Sequence, residues 1–236
     1  GVDSSVAAAL LAGEGRDGRS RAILALMERW GDTAIAIDSD VAARFPTELP
    51  VRIVHNSFRV HDEQVGDGKA ARNRLGLPEE GRILIGFAGF LRRQKGWPEL
   101  VAAARILVDA GEPVHFVIMG GGVRSPEWFR SPRGRALALA GILSDEESAL
   151  TQLVADSGLQ DRFTFLPFVR DTAEVYEALD IVTFPNQGVG LGRPVLEAAA
   201  HGRPVVASGS TDGAGMLLPG VTGLLLEHGS PEEIAG

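Results

Sequence analysis

No cysteine occurs anywhere in the 236 residues. A disulfide framework and a thiolate metal site are therefore both excluded, and a reducing, cytoplasmic setting is the expectation. Long apolar runs are also missing: none approaches the roughly 20 residues needed to cross a bilayer. The opening GVDSSVAAAL lacks an initiating methionine, a basic stretch ahead of an apolar one and a cleavage pattern, so no export signal is read. That opening, and the clipped helix start Pro231-Glu232-Glu233-Ile234-Ala235, give the expectation of a piece from a longer protein. Positive charge is scarce, with 23 Lys and Arg against 31 Asp and Glu and a net charge of -8. Nucleic-acid binding through a broad basic face is thus not expected. Arg92-Arg93-Gln94-Lys95 is a local exception. Repeats and low-complexity tracts are absent.

What is present is a soluble-protein share of apolar residues, 44%, arranged with the periodicities of an α/β protein. Residues 20–58 read as helix (20–30), strand (33–38), helix (40–45) and strand (50–58), too little to bury a sheet alone. Residues 59–70 are polar and Gly-containing and read as a linker. A regular alternation follows. RILIGFAGF (82–90) is a continuous apolar run, the mark of a strand buried on both faces. A helix is expected over 98–110, a strand and glycine turn over 113–122, and an inserted loop with a short helix over 123–144. The next helix, 145–157, has Ser144 as N-cap and Glu147 three residues on, a capping-box pattern. Strand 161–168, helix 171–179, strand 180–185, helix 193–200 and strands 203–208 and 222–227 complete the chain. Strands alternating with helices predict a doubly wound, Rossmann-like parallel sheet, whose ligands sit beyond the carboxyl ends of the strands.

The most informative stretch is PNQGVGLGRPVLEAAAHGRPVVAS, residues 185–208. Gly188, Gly190 and Gly192 lie between a buried strand and a helix, where glycine lets a ligand approach the backbone. The helix start that follows offers unpaired N–H groups and partial positive charge to an anion. One turn in lies Glu197, surrounded by Ala and Leu. An ionised carboxylate there is costly unless something satisfies it, and the hydroxyls of a ribose beside a phosphate would do so. A tight turn followed by a Glu that the helix dipole favours accounts for the same residues.

This stretch resembles the donor-binding signature of retaining glycosyltransferase family 4, built from two Rossmann-like domains facing a cleft, the GT-B architecture. The family spaces two glutamates E-x7-E, and Glu197 matches the second, which binds the nucleotide ribose. The first falls on Val189, a departure that bears on the sugar pocket. GFLRRQKG (89–96) resembles the family's G-R-L-x3-K-G segment, whose Arg and Lys hold the donor diphosphate. Lys95 matches the Lys, Phe90 replaces the Arg, and Arg92 or Arg93 is available to supply the charge. VIMGGG (117–122), with Gly120 and Gly121, resembles the family's strand-G-x-G turn, and FLPFVRD (165–171), with Phe168 and Val169, the stretch whose backbone meets the nucleobase. The resemblance covers most of residues 32–236. It implies that residues 1–58 end an N-terminal acceptor domain and that 59–236 form the nucleotide-sugar domain.

The resemblance implies transfer of a sugar, with retention, from a UDP- or GDP-type donor to an unknown acceptor hydroxyl. Lys95, with Glu197 on the ribose, is the expected catalytic pair, and Gly89, Arg92, Gly190, Leu191, Gly192 and Arg193 join the binding set. No cofactor beyond the donor, no metal and no nucleic acid are implied, and any membrane contact would be peripheral and through residues preceding this chain. The fragment alone is expected to be inactive. A GT-B-type nucleotide-sugar 2-epimerase and a non-catalytic binding module remain open; a nicotinamide-binding domain is disfavoured because GFAGF is not G-x-G-x-x-G. Asp38-Ser39-Asp40 is a literal D-x-D but is read as a helix cap. His55, His61, His115, His201 and His228 show no metal-ligand spacing, and His115 is read as structural. Trp97, Trp128 and Phe129 are read as core packing, with the 123–144 insertion also placed to cover an acceptor.

Overall fold

The computed structural model describes residues 25–37, 39–55, 67–122, 124–167, 172–189, 192–210 and 217–236. The first part holds helix α1 (25–30), strand β1 (Ala34–Ala36), helix α2 (Ser39–Ala42) and strand β2 (Val51–Ile53). The two strands pair in parallel, Ala34 opposite Val51. Strand alternation decides the burial: Ala34 and Ala36 turn inward onto Met27, Val41, Phe45 and Leu49, and Ile35 between them stays exposed. Asp38 and the side chain of Asp40 lie outside the described residues, and so does His61.

Part of the expected linker is helical. Helix α3 (Gly68–Arg74) begins inside it, its first turn capped by Asp67, which accepts from Lys69 N at 2.9 Å. Tertiary bonds rather than composition hold it. Arg72 donates to Ala178 O at 2.8 Å and to Asp180 Oδ1 at 2.7 Å, and Asp180 Oδ2 accepts from Leu84 N at 2.8 Å.

From residue 83 onward the chain builds one sheet of six strands: β3 (Ile83–Ala88), β4 (Val114–Met119), β5 (Phe163–Leu166), β6 (Ile181–Val189), β7 (Val205–Ser210) and β8 (Gly223–Leu226). The order is β5-β4-β3-β6-β7-β8, and every neighbouring pair is parallel. The helices are α4 (Trp97–Asp109), α5 (Pro126–Arg130), α6 (Pro132–Leu139), α7 (Glu146–Asp156), α8 (Ala173–Ala178), α9 (Arg193–Ala200) and α10 (Pro231–Ala235). A core forms on each face. On one, Leu84 and Ala88 of β3 meet Tyr176, Leu179, Phe184 and Val195. On the other, Ile85 and Phe87 meet Trp97, Leu100, Phe116 and Leu150. Each large side chain buried in this way contributes about 1.5–3 kcal/mol of transfer free energy, which is why the apolar runs of β3 and β4 admit no polar residue beyond His115. His115 Nε2 lies 2.8 Å from Thr164 Oγ1, and burial, then the charges of Arg82 and Arg162, lower its pKa to about 4. It is a neutral structural histidine at physiological pH.

Three local details differ from the sequence reading. The 123–144 insertion holds two short helices instead of one, packed so closely that a Cβ on Gly134 would lie 2.3 Å from Trp128 O. Helix α7 starts one residue later, with Asp145 as cap accepting from Ser148 N at 3.1 Å, and Ser144 donates to Glu146 instead. Strand β6 runs past Pro185 to Val189, because its pairing with β7 resumes beyond a bulge, Val189 opposite Ser210.

The chain winds outward from β3 through β4 to β5, then crosses back to place β6 on the other side of β3. The loops leaving β3 and β6 therefore diverge at their carboxyl ends. This is the topological switch point, where open α/β sheets leave a crevice for ligands.

Candidate functional site

The loop leaving β3 makes one 3-10 turn, Arg93–Lys95, and ends at Gly96 with φ +78°. Only glycine suits that place: besides the left-handed backbone, a Cβ would lie 1.7 Å from Pro185 O. The loop is thereby pressed onto β6, and Lys95 leans over the Phe184 ring, Nζ 5.1 Å from its centroid. Half-buried, Lys95 has no carboxylate partner among the described residues. Burial first, and then the charge of Arg92, lower its pKa. A desolvated cation beside a second cation is an unfavourable arrangement that a bound anion relieves.

The opposite wall is the start of α9. Gly192 is its N-cap, with no side-chain cap, and a Cβ there would come 2.8 Å from Cζ of Phe184. The same buried ring thus carries Lys95 and seats the helix N-terminus, where free N–H groups attract negative charge. Beneath the loops, Gly120 has φ +148°, and a Cβ on it would lie 1.9 Å from Gly89 O, so the turns after β3 and β4 touch through glycine backbone. Leu91 N donates to Gly121 O at 3.1 Å.

Glu197 is buried but not short of partners. Tyr176 donates its hydroxyl to Oε2 at 2.9 Å, and Arg193 Nη2 donates to Oε1 at 2.9 Å. The carboxylate that the sequence marks as costly unless something satisfies it has partners from the fold itself, a phenol and a guanidinium. Tyr176, on α8 and stacked at 5.7 Å on the His201 ring, is the residue that sequence reasoning misses. No local pattern signals it, because the bond joins two helices whose packing only the fold reveals.

Arg92 is placed differently from Lys95. With Arg93, Gln94, Ile142, Leu143 and Glu146 it borders a cleft of about 600 Å³ between the β3 loop and the end of the insertion. Phe90, where the resemblance expects Arg, is 66% exposed. Phe168, Val169, Gly190 and Leu191 and the side chain of Val189 lie outside the described residues. Trp97 and Phe129 are core residues, and Trp128 packs edge-on to Phe129 under Arg124. Spacing alone does not foresee that Glu227, His228 and Glu233 have ligand-type atoms within 4.8 Å of one another. Glu233 is engaged there in the capping box of α10 with Ser230.

With this geometry in view, the comparisons with known proteins are specific. The chain is 30% identical over 222 residues to 2-deoxystreptamine glucosyltransferase of Streptomyces kanamyceticus, covering 92% of this chain and 50% of that protein. It is 34% identical over 191 residues to D-inositol 3-phosphate glycosyltransferase of Mycolicibacterium vanbaalenii, covering 79% and 39%. The chain thus spans about half the length, or less, of these curated relatives. The Anabaena protein HepE, solved in complex with UDP and glucose, superposes with a TM-score of 0.74 at 23% identity over 96% of this chain and 58% of its own, a likeness of fold. The C-terminal domain of the group 1 protein LpcC of Francisella tularensis gives a TM-score of 0.54 at 26% identity, covering 71% of this chain and 77% of its own. The family model described as glycosyl transferases group 1 matches residues 82–236, the entire six-stranded sheet with its switch-point loops, and the chain belongs to that family.

Proposed function

We propose that this chain carries the donor-binding part of a retaining glycosyltransferase, which moves a sugar from a UDP- or GDP-type donor to an acceptor hydroxyl. The observation that carries the reading is Lys95, a half-buried cation without a carboxylate partner among the described residues, held on the Phe184 ring against the start of α9. Support comes from relatives named as glycosyltransferases and from a neighbour of the same fold solved with UDP-glucose. In this proposal residues 1–58 close an acceptor domain and 59–236 form the donor domain. Lys95 and the N–H groups at the start of α9 stabilise the charge that gathers on the departing diphosphate. Gly89, Gly120 and Gly121 let the backbone approach the donor, Phe168 and Val169 meet the base, and Glu197 accepts from the ribose hydroxyls. Among the described residues no helix is long and apolar enough to cross a membrane.

The test is calorimetric titration of the chain and of Lys95→Ala with UDP, GDP and the matching nucleosides. A charged hydrogen bond is worth about 1.5–3 kcal/mol, so diphosphate affinity should fall roughly 10- to 150-fold and nucleoside affinity hardly at all. Equal losses for both ligands would remove Lys95 from the site.

A further inference from the structure

Resting on the donor-site reading, the arrangement around Glu197 carries one step more. Its two oxygens are held from opposite sides by unlike groups. Oε2 is taken by Tyr176, whose side chain is wholly buried and braced against His201. Oε1 is taken by Arg193, 66% exposed, reaching back from the first residue of α9. The Glu197 side chain is only 10% exposed. Arg193 is therefore the solvent-side partner of a carboxylate that the core holds from behind. A ligand that approaches Glu197 from the crevice meets the guanidinium first. Arg193 also stands beside the α9 N-terminus, in a chain where Phe90 replaces the cation that the resemblance places in the β3 loop.

We propose that Arg193 is an exchangeable cap on Glu197, displaced by the ribose hydroxyls of an incoming nucleotide and turned toward its diphosphate, and that Tyr176 is the positioning residue that keeps the carboxylate in place through the exchange. The two partners then differ in kind. The Arg193 bond is part-buried, but its guanidinium is open to solvent and screened on that side, so it is the cheaper of the two to break. The Tyr176 bond is buried and costly to lose. Selectivity for ribose over deoxyribose would be set by both: raised by Tyr176, which presents the acceptor, and lowered by Arg193, which competes for it.

The ratio of the Kd for 2′-deoxyuridine to the Kd for uridine reads this directly, since neither ligand carries a phosphate for the displaced Arg193 to meet; guanosine and 2′-deoxyguanosine serve in the same way if the chain prefers guanine. In Arg193→Met the ratio should rise about two- to fivefold, the worth of an ion pair with one solvent-exposed partner, while affinity for UDP falls through loss of the phosphate contact. In Tyr176→Phe the ratio should drop roughly tenfold, toward one, with the protein still folded by its thermal melt. An unchanged ratio in Tyr176→Phe would mean a merely structural tyrosine. A ratio that falls or stays fixed in Arg193→Met would mean that the ion pair holds Glu197 for ribose or is irrelevant to it, and would overturn the exchange. If the unsubstituted chain binds neither UDP nor GDP, the donor-site reading fails instead.

Discussion

Tyr176 shows how much one residue's surroundings fix its chemistry. It is the only tyrosine in the chain. Burial first, and the Glu197 charge second, raise its hydroxyl above the usual tyrosine range. The unfolded chain titrates near pH 10, so the folded state binds the proton more tightly. The stability this contributes is present below about pH 10 and lost as pH rises above it. A spectrophotometric titration should show no tyrosinate in the folded protein at a pH of about 11, where free tyrosine is mostly ionised, and should show it appear together with alkaline unfolding. Ionisation on a native baseline near the free value would mean that the Tyr176–Glu197 bond does not form. The pairing is invisible in the sequence for a definite reason. VLEAAA announces a carboxylate in apolar company, but its partners lie one turn away at Arg193 and on another helix at Tyr176. Only the first of these is within reach of helical spacing.

At the scale of elements, the long apolar strands are the legible part. β3 and β4 are covered on both faces, so nearly every residue carries the signal. Element ends are less so. Ser144 and Asp145 are adjacent and both good caps, and backbone geometry gives the position to Asp145. Helix α3 reads as linker because Gly66-Asp67-Gly68-Lys69 has turn composition, while its anchors, Ala178 and Asp180, are distant in sequence. Gly96 offers a sharper test of how the loop is seated. Gly111 has a similar φ, +84°, and a Cβ added there would meet nothing within 4 Å, whereas at Gly96 it would collide with β6. Gly111→Ala should cost about 1–2 kcal/mol, the left-handed penalty alone, and Gly96→Ala about 1–3 kcal/mol more for displaced backbone, both by urea denaturation. Gly96→Ala should also lose nucleoside diphosphate affinity, because Lys95 moves with the loop. Equal costs with intact binding would show that the contact with Pro185 yields easily.

For the whole molecule, doubly wound topology and the crevice at its switch point are legible from the alternation of strands and helices. The strand order is not, since no periodicity says where the chain turns back across β3. In the proposed function the crevice is one wall of a reaction that needs donor and acceptor positioned together. We therefore expect this chain to bind a nucleoside diphosphate and to release little product when given a UDP-sugar and an acceptor alcohol; robust transfer by these 236 residues, measured by product formation, would contradict this.

The seam between β3 and β6 also has a consequence in time. It joins Ile85 to Ile181, segments far apart in the chain, whereas β3–β4 and β6–β7 close through nearer neighbours. Distant pairings bear a larger loop-closure cost and form late. Each winding can gain its helices before the two meet, but Lys95 belongs to one and the start of α9 to the other. During refolding, helical circular dichroism should recover ahead of nucleotide capture, with capture appearing in the last phase. Simultaneous recovery would place the seam among the first contacts made.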